Sequence, residues 1–139
     1  MLDEIFDQEI SNILRPENSV PVCEGTSTLK DAVLQMQNSR SGCIVILSDH
    51  KAVGIFTERD FLQKVKLESP GAETPITEYM VHKPVTVRAD ITIKEALVFM
   101  RVGNFRSLIV NQQNGEFQGV VTMKDLMYYI TDVAGFQNE

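Results

Sequence analysis

Gly54-Ile55-Phe56-Thr57-Glu58-Arg59-Asp60-Phe61 and Gly119-Val120-Val121-Thr122-Met123-Lys124-Asp125-Leu126 are two versions of one phrase. Each runs glycine, two apolar residues, threonine, two variable positions, aspartate and a bulky apolar residue. Upstream of both lies an apolar run: Ile44-Val45-Ile46 before the first and Leu108-Ile109-Val110 before the second. Further upstream, Leu29-Lys30-Asp31-Ala32-Val33 followed by Met36 returns as Ile93-Lys94-Glu95-Ala96-Leu97 followed by Met100. The copies differ by one residue in the loop before the first helix and one in the later turn, where duplicated units tolerate changes of length. Chance would not keep small, charged and β-branched positions together. The chain is therefore a tandem duplication, and that decides its architecture ahead of any single motif.

Each copy reads the same way by pattern. Val20 to Val22 and Val85 to Val87 alternate as short strands, and Thr28 and Thr92 are suitable N-caps for helices with apolar residues at helical spacing. The runs Ile44 to Leu47 and Val53 to Phe56, joined through Ser48-Asp49-His50-Lys51, form a hairpin, as do Leu108 to Val110 and Phe117 to Val121. A last helix starts at Thr57 and at Thr122. The fold class is thus mixed α/β (α+β), with two tandem β-α-β-β-α repeats. A unit of under about 50 residues cannot bury both faces alone, so the copies are predicted to pack about a pseudo-twofold axis, with the cleft between them as the natural ligand site.

The predicted organisation is an N-terminal helix over 1–15, repeat one over 16–68, a linker over 69–83, repeat two over 84–133 and a tail over 134–139. In the first segment Ile5, Phe6, Ile10, Ile13 and Leu14 make an apolar stripe interrupted by Glu9, and Pro16 ends the helix. In the linker, Thr74 to Met80 reads as a capped helical turn with proline at its first position.

Composition removes several function classes. With 139 residues, 43% hydrophobic and 23% charged, the chain suits one globular unit with a core. A formal charge of −6, no tryptophan and no basic run argue against a nucleic-acid surface. No apolar run approaches the roughly 20 residues of a membrane span, and Asp3, Glu4 and Asp7 leave the N-terminus without the basic region of a secretion signal, so a cytoplasmic location is expected. Cys23 and Cys43 lie in apolar segments without CxxC spacing and read as core thiols. His50 and His82 belong to no metal-ligand pattern. There is no P-loop and no nucleophile with a recognisable base, so the chain is not expected to be an enzyme.

The duplicated unit closed by Gly-apolar-apolar-Thr-x-x-Asp resembles the cystathionine-β-synthase (CBS) repeat, and the pair resembles a Bateman module, in particular the small stand-alone bacterial CBS-pair proteins. Ile76-Thr77-Glu78-Tyr79-Met80-Val81-His82-Lys83-Pro84-Val85 resembles the usual lead into a second repeat. The resemblance covers about residues 16 to 131. It implies a non-catalytic regulatory module that takes an adenine nucleotide, AMP, ADP, ATP or NAD(H), as a signal and needs no obligatory cofactor.

Carried over by position, Asp60 and Asp125 hold the ribose hydroxyls, while Thr57 and Thr122 reach the phosphate. Val22 and Thr26, or Val87 and Ile91, lie near the adenine. Arg59, Lys124, Arg40 and Arg106 are the cations placed to meet phosphate. The chemistry is sound independently, because an ionised carboxylate accepts two hydrogen bonds from a cis-diol. Thr-x-x-Asp is equally a capping box, in which threonine and acid each satisfy a backbone amide at the helix start. On charge alone the Asp60 side ranks as the firmer site, since arginine binds phosphate bidentately where lysine is a point charge. The resemblance also implies a homodimer, with Phe99, Met100, Met127, Tyr128 and Ile130 as its apolar contacts. The alternative function is a dimeric adaptor with empty clefts that docks on a partner protein.

Overall fold

Both copies of the duplicated phrase end a strand and open a helix, and the rest of each unit is assembled around that corner. A computed structural model describes residues 2–14, 20–68 and 71–134. The elements are α1 (Leu2–Phe6), β1 (Val22–Glu24), α2 (Leu29–Ser39), β2 (Cys43–Ser48), β3 (Lys51–Thr57), α3 (Glu58–Lys64), β4 (Val81–His82), β5 (Thr86–Arg88), α4 (Ile93–Gly103), β6 (Ser107–Asn111), β7 (Phe117–Thr122) and α5 (Met123–Ala134). Each repeat is β-α-β-β-α, as the sequence predicts. By its contacts the chain falls into two units, one running to Pro84 and one joining the N-terminal segment to everything from Val85 onward.

In the first unit the sheet order is β1-β2-β3-β4, with β1 parallel to β2 and the other neighbours antiparallel. In the second it is β5-β6-β7, again with a parallel first pair. The parallel pair needs a crossover, which α2 and α4 provide. Both helices start in a full capping box, Thr28 with Asp31 and Thr92 with Glu95, and both end on a left-handed residue, Arg40 at φ 52° and Asn104 at φ 55°. The inward stripe of each is buried: Leu29, Ala32 and Met36 in one, Ile93, Ala96 and Met100 in the other.

Two local predictions shift. The first strands run Val22–Glu24 and Thr86–Arg88, so Val20 lies outside β1 and the two strands match at a spacing of 64 residues, Val22 with Thr86. That spacing holds through β2 and β6, Val45 with Ile109. The expected length change before the first helix is therefore not there, and the single extra residue sits in the second hairpin. The first hairpin turns on Asp49 and His50, both at positive φ (51° and 66°), the backbone that a two-residue loop needs to follow strand twist. The second spends Gln112 to Glu116 on the same task and uses Gly115 at φ 90°.

The N-terminal segment is not one helix. α1 stops at Phe6, and a separate 3₁₀ turn covers Ile10–Asn12. The proline expected to end the helix, Pro16, lies outside the described residues. This 3₁₀ turn has a counterpart in Ile76–Glu78, where no side chain caps the start and Pro75 stands before the first turn residue. Ile10 and Ile76 are both fully buried. Ile10 donates to Ile91 O at 2.9 Å while Gln8 O accepts from Ile93; Ile76 donates to Ser27 O at 2.7 Å while Thr74 O accepts from Leu29. The segment that leads into repeat one thus packs at the start of α4, and the segment that leads into repeat two packs at the start of α2. Gly54 serves the latter packing, because a Cβ there would run into the Met80 sulfur.

Each unit has its own apolar core. Ile5, Ile10, Val87, Ile93, Met100, Leu108 and Leu126 are among the buried members of one; Cys23, Leu29, Met36, Ile44, Phe56, Ile76 and Met80 are among those of the other.

Candidate ligand site at the second helix of each repeat

Thr57 leaves β3 in an extended conformation and caps α3. Its amide donates to Asp60 Oδ2 at 3.0 Å, its hydroxyl lies 3.0 Å from the same oxygen, and Asp60 N donates back to Thr57 Oγ1 at 3.2 Å. Thr122 and Asp125 repeat the exchange at the start of α5, at 2.9 and 3.1 Å. The capping reading of Thr-x-x-Asp is therefore met in full at both places.

Capping does not account for the burial. The acids that close the boxes of α2 and α4, Asp31 and Glu95, are exposed. Asp60 and Asp125 keep only 6% and 8% of their surface and are the buried charged residues among those described. A carboxylate loses hydration when buried, and a cap gains nothing from that loss. Sinking the acid in this pair of boxes and not in the other gives each unit a recessed anionic acceptor at a matched place.

Around Asp60 the structure adds a residue that the sequence reading passed over. Lys64, one turn along α3, puts its ammonium 3.3 Å from Asp60 Oδ1 and donates to Tyr79 O at 2.9 Å. The four-residue spacing of opposite charges on one helix was the available signal. The matching position of repeat two is Tyr129, partly buried against the core of its own unit.

The other predicted residues divide. Arg59 and Lys124 are exposed in the first turns of α3 and α5. Arg106 immediately precedes β6, and its carbonyl accepts from Met123 N at 2.9 Å, which sets it beside the start of α5 in its own repeat. Arg40 is not its counterpart: it is the left-handed cap of α2, where Asn104 stands in repeat two. Thr26 is exposed in the turn after β1 and Val22 is exposed on that strand, so both are open to a ligand. Val87 is not: it points inward from β5, is buried, and matches Cys23 rather than Val22. It is part of the core of its unit. Ile91 is partly buried against the same core.

Cys23 and Cys43 are buried free thiols. Burial raises the Cys23 pKa, against a lowering hydrogen bond with Ser27. Among the described residues no group of three His, Cys, Asp or Glu side chains is placed to hold a metal ion, and no helix is long and apolar enough to cross a membrane. An open groove of about 560 Å³ lies between α1 and α4, lined by Phe6, Leu97, Val98, Lys94 and Arg101 among others, and contains none of the predicted ligand residues.

The family model of the CBS domain matches this chain twice, over residues 10–67 and 76–132. The chain belongs to the CBS domain family. Both matches begin at the buried isoleucine of a 3₁₀ lead-in turn, Ile10 or Ile76. A CBS-domain protein of Arabidopsis thaliana, CBSCBSPB1, is 30% identical over 96% of this chain, which spans 25% of that protein's length. A CBS-domain protein of unknown function from Bacillus anthracis superposes with a TM-score of 0.81 at 16% identity, covering 95% of this chain and 99% of that one. The CBS-domain protein PAE2072 of Pyrobaculum aerophilum, solved in complex with AMP, superposes with a TM-score of 0.71 at 26% identity, covering 85% of this chain and 89% of the other. Pairs of CBS domains are generally regulatory modules, and this chain is such a pair.

Proposed function

We propose that this CBS pair senses an adenine nucleotide, AMP, ADP, ATP or NAD(H), with Asp60 and Asp125 as the ribose acceptors. The observation that carries the reading is the burial of these two acids where the capping acids of the preceding helices are exposed. The AMP complex of the archaeal relative supports the ligand class. Thr57 and Thr122 orient the carboxylates. Thr26 and Val22, both exposed, are the candidates for a base in repeat one, and Arg59, Lys124 and Arg106 for phosphate.

Asp60→Asn and Asp125→Asn test this, because asparagine keeps an oxygen for the cap and loses the charge that strengthens a bond to a hydroxyl. Calorimetric titration with AMP, ATP and NADH is expected to show binding in the wild type, and each substitution should weaken its own site roughly ten- to a hundredfold, or about 1.5–3 kcal/mol. No heat with any of the three ligands in the wild type would end the nucleotide reading.

The same reading includes a homodimer built on the outer faces of α4 and α5. Phe99, Val102, Met127 and Tyr128 are exposed there, and an apolar group of this kind favours a partner. Met100 drops out of the sequence-predicted contact set, because it is 1% exposed and belongs to the core, and Ile130 is partly buried on that core.

A further inference from the structure

Lys64 makes two contacts at once, with partners on different segments of one unit. Its ammonium faces Asp60 Oδ1 at 3.3 Å and donates to the carbonyl of Tyr79 at 2.9 Å. Asp60 is on α3; Tyr79 ends the 3₁₀ turn that leads into repeat two. The cap occupies Oδ2, so the ammonium sits at the carboxylate oxygen that a second ribose hydroxyl must use.

We propose that Lys64 is a latch on the repeat-one site: a ligand carrying a cis-diol seats on Asp60 only by displacing this ammonium, and the displacement releases the carbonyl of Tyr79. The proposal rests on the nucleotide reading of Asp60. While latched, the carboxylate already has a charge-assisted partner, so the ribose gains only the difference between two strong hydrogen bonds. The latch can open at small cost, because the Lys64 side chain is 38% exposed and its head can move into water while the stem stays on the helix. Opening also breaks the bond to Tyr79 O. That carbonyl lies between Ile76 and Met80, both packed in the repeat-one core, and the chain continues from Met80 into β4 and on to repeat two. Occupancy of Asp60 is in this way passed to the backbone between the repeats.

Repeat two lacks the ammonium. Tyr129 stands where Lys64 does and Ile13 where Tyr79 does, and both pack against the core of that unit. The Lys64 contact is thus particular to the Asp60 site, and it makes that site weaker than the same site would be without the ammonium.

Adenosine is the probe, since it has the diol and no phosphate, so loss of a cation cannot be confused with loss of phosphate attraction. Titrations on an Asp125→Asn background report the Asp60 side. Lys64→Met is expected to tighten adenosine binding roughly two- to tenfold, while Lys64→Arg, which keeps a cation in reach, stays within about twofold of the parent. Hydrogen exchange of the Tyr79 to His82 amides is expected to quicken when adenosine binds with Lys64 present and to be insensitive to adenosine in Lys64→Met. A folded Lys64→Met protein that binds adenosine no tighter than the parent overturns the latch, as does exchange that ignores the ligand in the parent. Absence of heat in both the parent and Lys64→Met is a different result: it removes the nucleotide reading of Asp60 itself, and the latch with it.

Discussion

The two repeats share a backbone plan down to the bulge in each hairpin, between Ile46 and Leu47 in one and between Val110 and Asn111 in the other. They differ in what is laid over that plan. Repeat one closes on a helix of 7 residues whose second turn carries Lys64 onto the acid; repeat two closes on one of 12 residues with Tyr128, Tyr129 and Ile130 in the same stretch. On the first helices, exposed Phe99 and Val102 of repeat two stand where repeat one has Gln35 and Asn38. Matched backbones thus carry different side chains at these positions, while elsewhere both repeats expose apolar groups, Leu34 and Leu62 in repeat one and Val98 and Met127 at the matching places of repeat two.

The largest expected effect concerns the cores, at the inward position just before the strand-ending threonine. Phe56 is fully buried in repeat one, and the matching residue of repeat two is Val121, also fully buried. Phe56→Ala should cost about 3–5 kcal/mol and Val121→Ala about 2 kcal/mol, because the phenyl ring leaves the larger unfilled space. Denaturant titration followed by circular dichroism measures both. Equal losses would mean that the repeat-one core collapses around the gap, and that the two cores are not stabilised in the same manner.

Next in size is the apolar face. Phe99→Glu or Tyr128→Glu is expected to weaken a homodimer by about 2 kcal/mol or more, whereas Gln35→Glu and Gln63→Glu, at the matching places of repeat one, should change it by less than about 0.5 kcal/mol. Light scattering across a dilution series decides. A wild type that is monomeric at micromolar concentration would reject the assembly and leave those side chains as ordinary surface.

Much of this contrast could be read from the sequence, and the parts that could not have physical reasons. The duplication, the hairpins and the capping residues were legible because they rest on local chemistry: helical spacing, β-branched runs, threonine before a helix. The lead-in turns were not. Ile10-Ser11-Asn12-Ile13-Leu14 and Ile76-Thr77-Glu78-Tyr79-Met80 share little beyond their apolar positions, and each is held by the repeat it does not lead into, so neither shows its role by periodicity. Val87 was paired with Val22 where its match is Cys23, because a strand register off by one residue turns every side chain to the other face. For the candidate site, the capping contacts of the two acids were legible and the second contact of Lys64 was not, since a helical ion pair on paper does not reveal that it also reaches Tyr79.

A smaller effect separates the two ligand sites. Lys64→Met should move their relative affinity for AMP toward the Asp60 side by roughly two- to tenfold, or up to about 1.4 kcal/mol. Titrations of Asp60→Asn and Asp125→Asn, each leaving one site intact, give the two affinities with and without Lys64. A ratio unchanged by Lys64→Met would mean that the ammonium does not compete with the ribose.

The smallest expected effect turns on the inward residue of the first strand, Cys23 in repeat one and Val87 in repeat two. Cys23→Val copies the second repeat into the first, and a change of one methyl group in a packed site should alter stability at neutral pH by less than about 1.5 kcal/mol. The pH dependence is the sharper signature. Burial raises the Cys23 pKa above its ordinary value of 9.0, so the folded chain holds the proton after the unfolded chain has released it. The associated stability is complete below the thiol's unfolded pKa and is lost as pH climbs through and above it, by up to about 1.4 kcal/mol for each pH unit between the two values. Valine has no proton to release. Other groups titrate in the same alkaline range in both proteins, so the difference between wild type and Cys23→Val, followed by thermal melting from pH 8 to 10, isolates the thiol. The variant should gain on the wild type as pH rises. Parallel curves would show that Cys23 ionises in the folded unit as readily as in the unfolded chain, and that the first strand of repeat one is more open to water than its match around Val87.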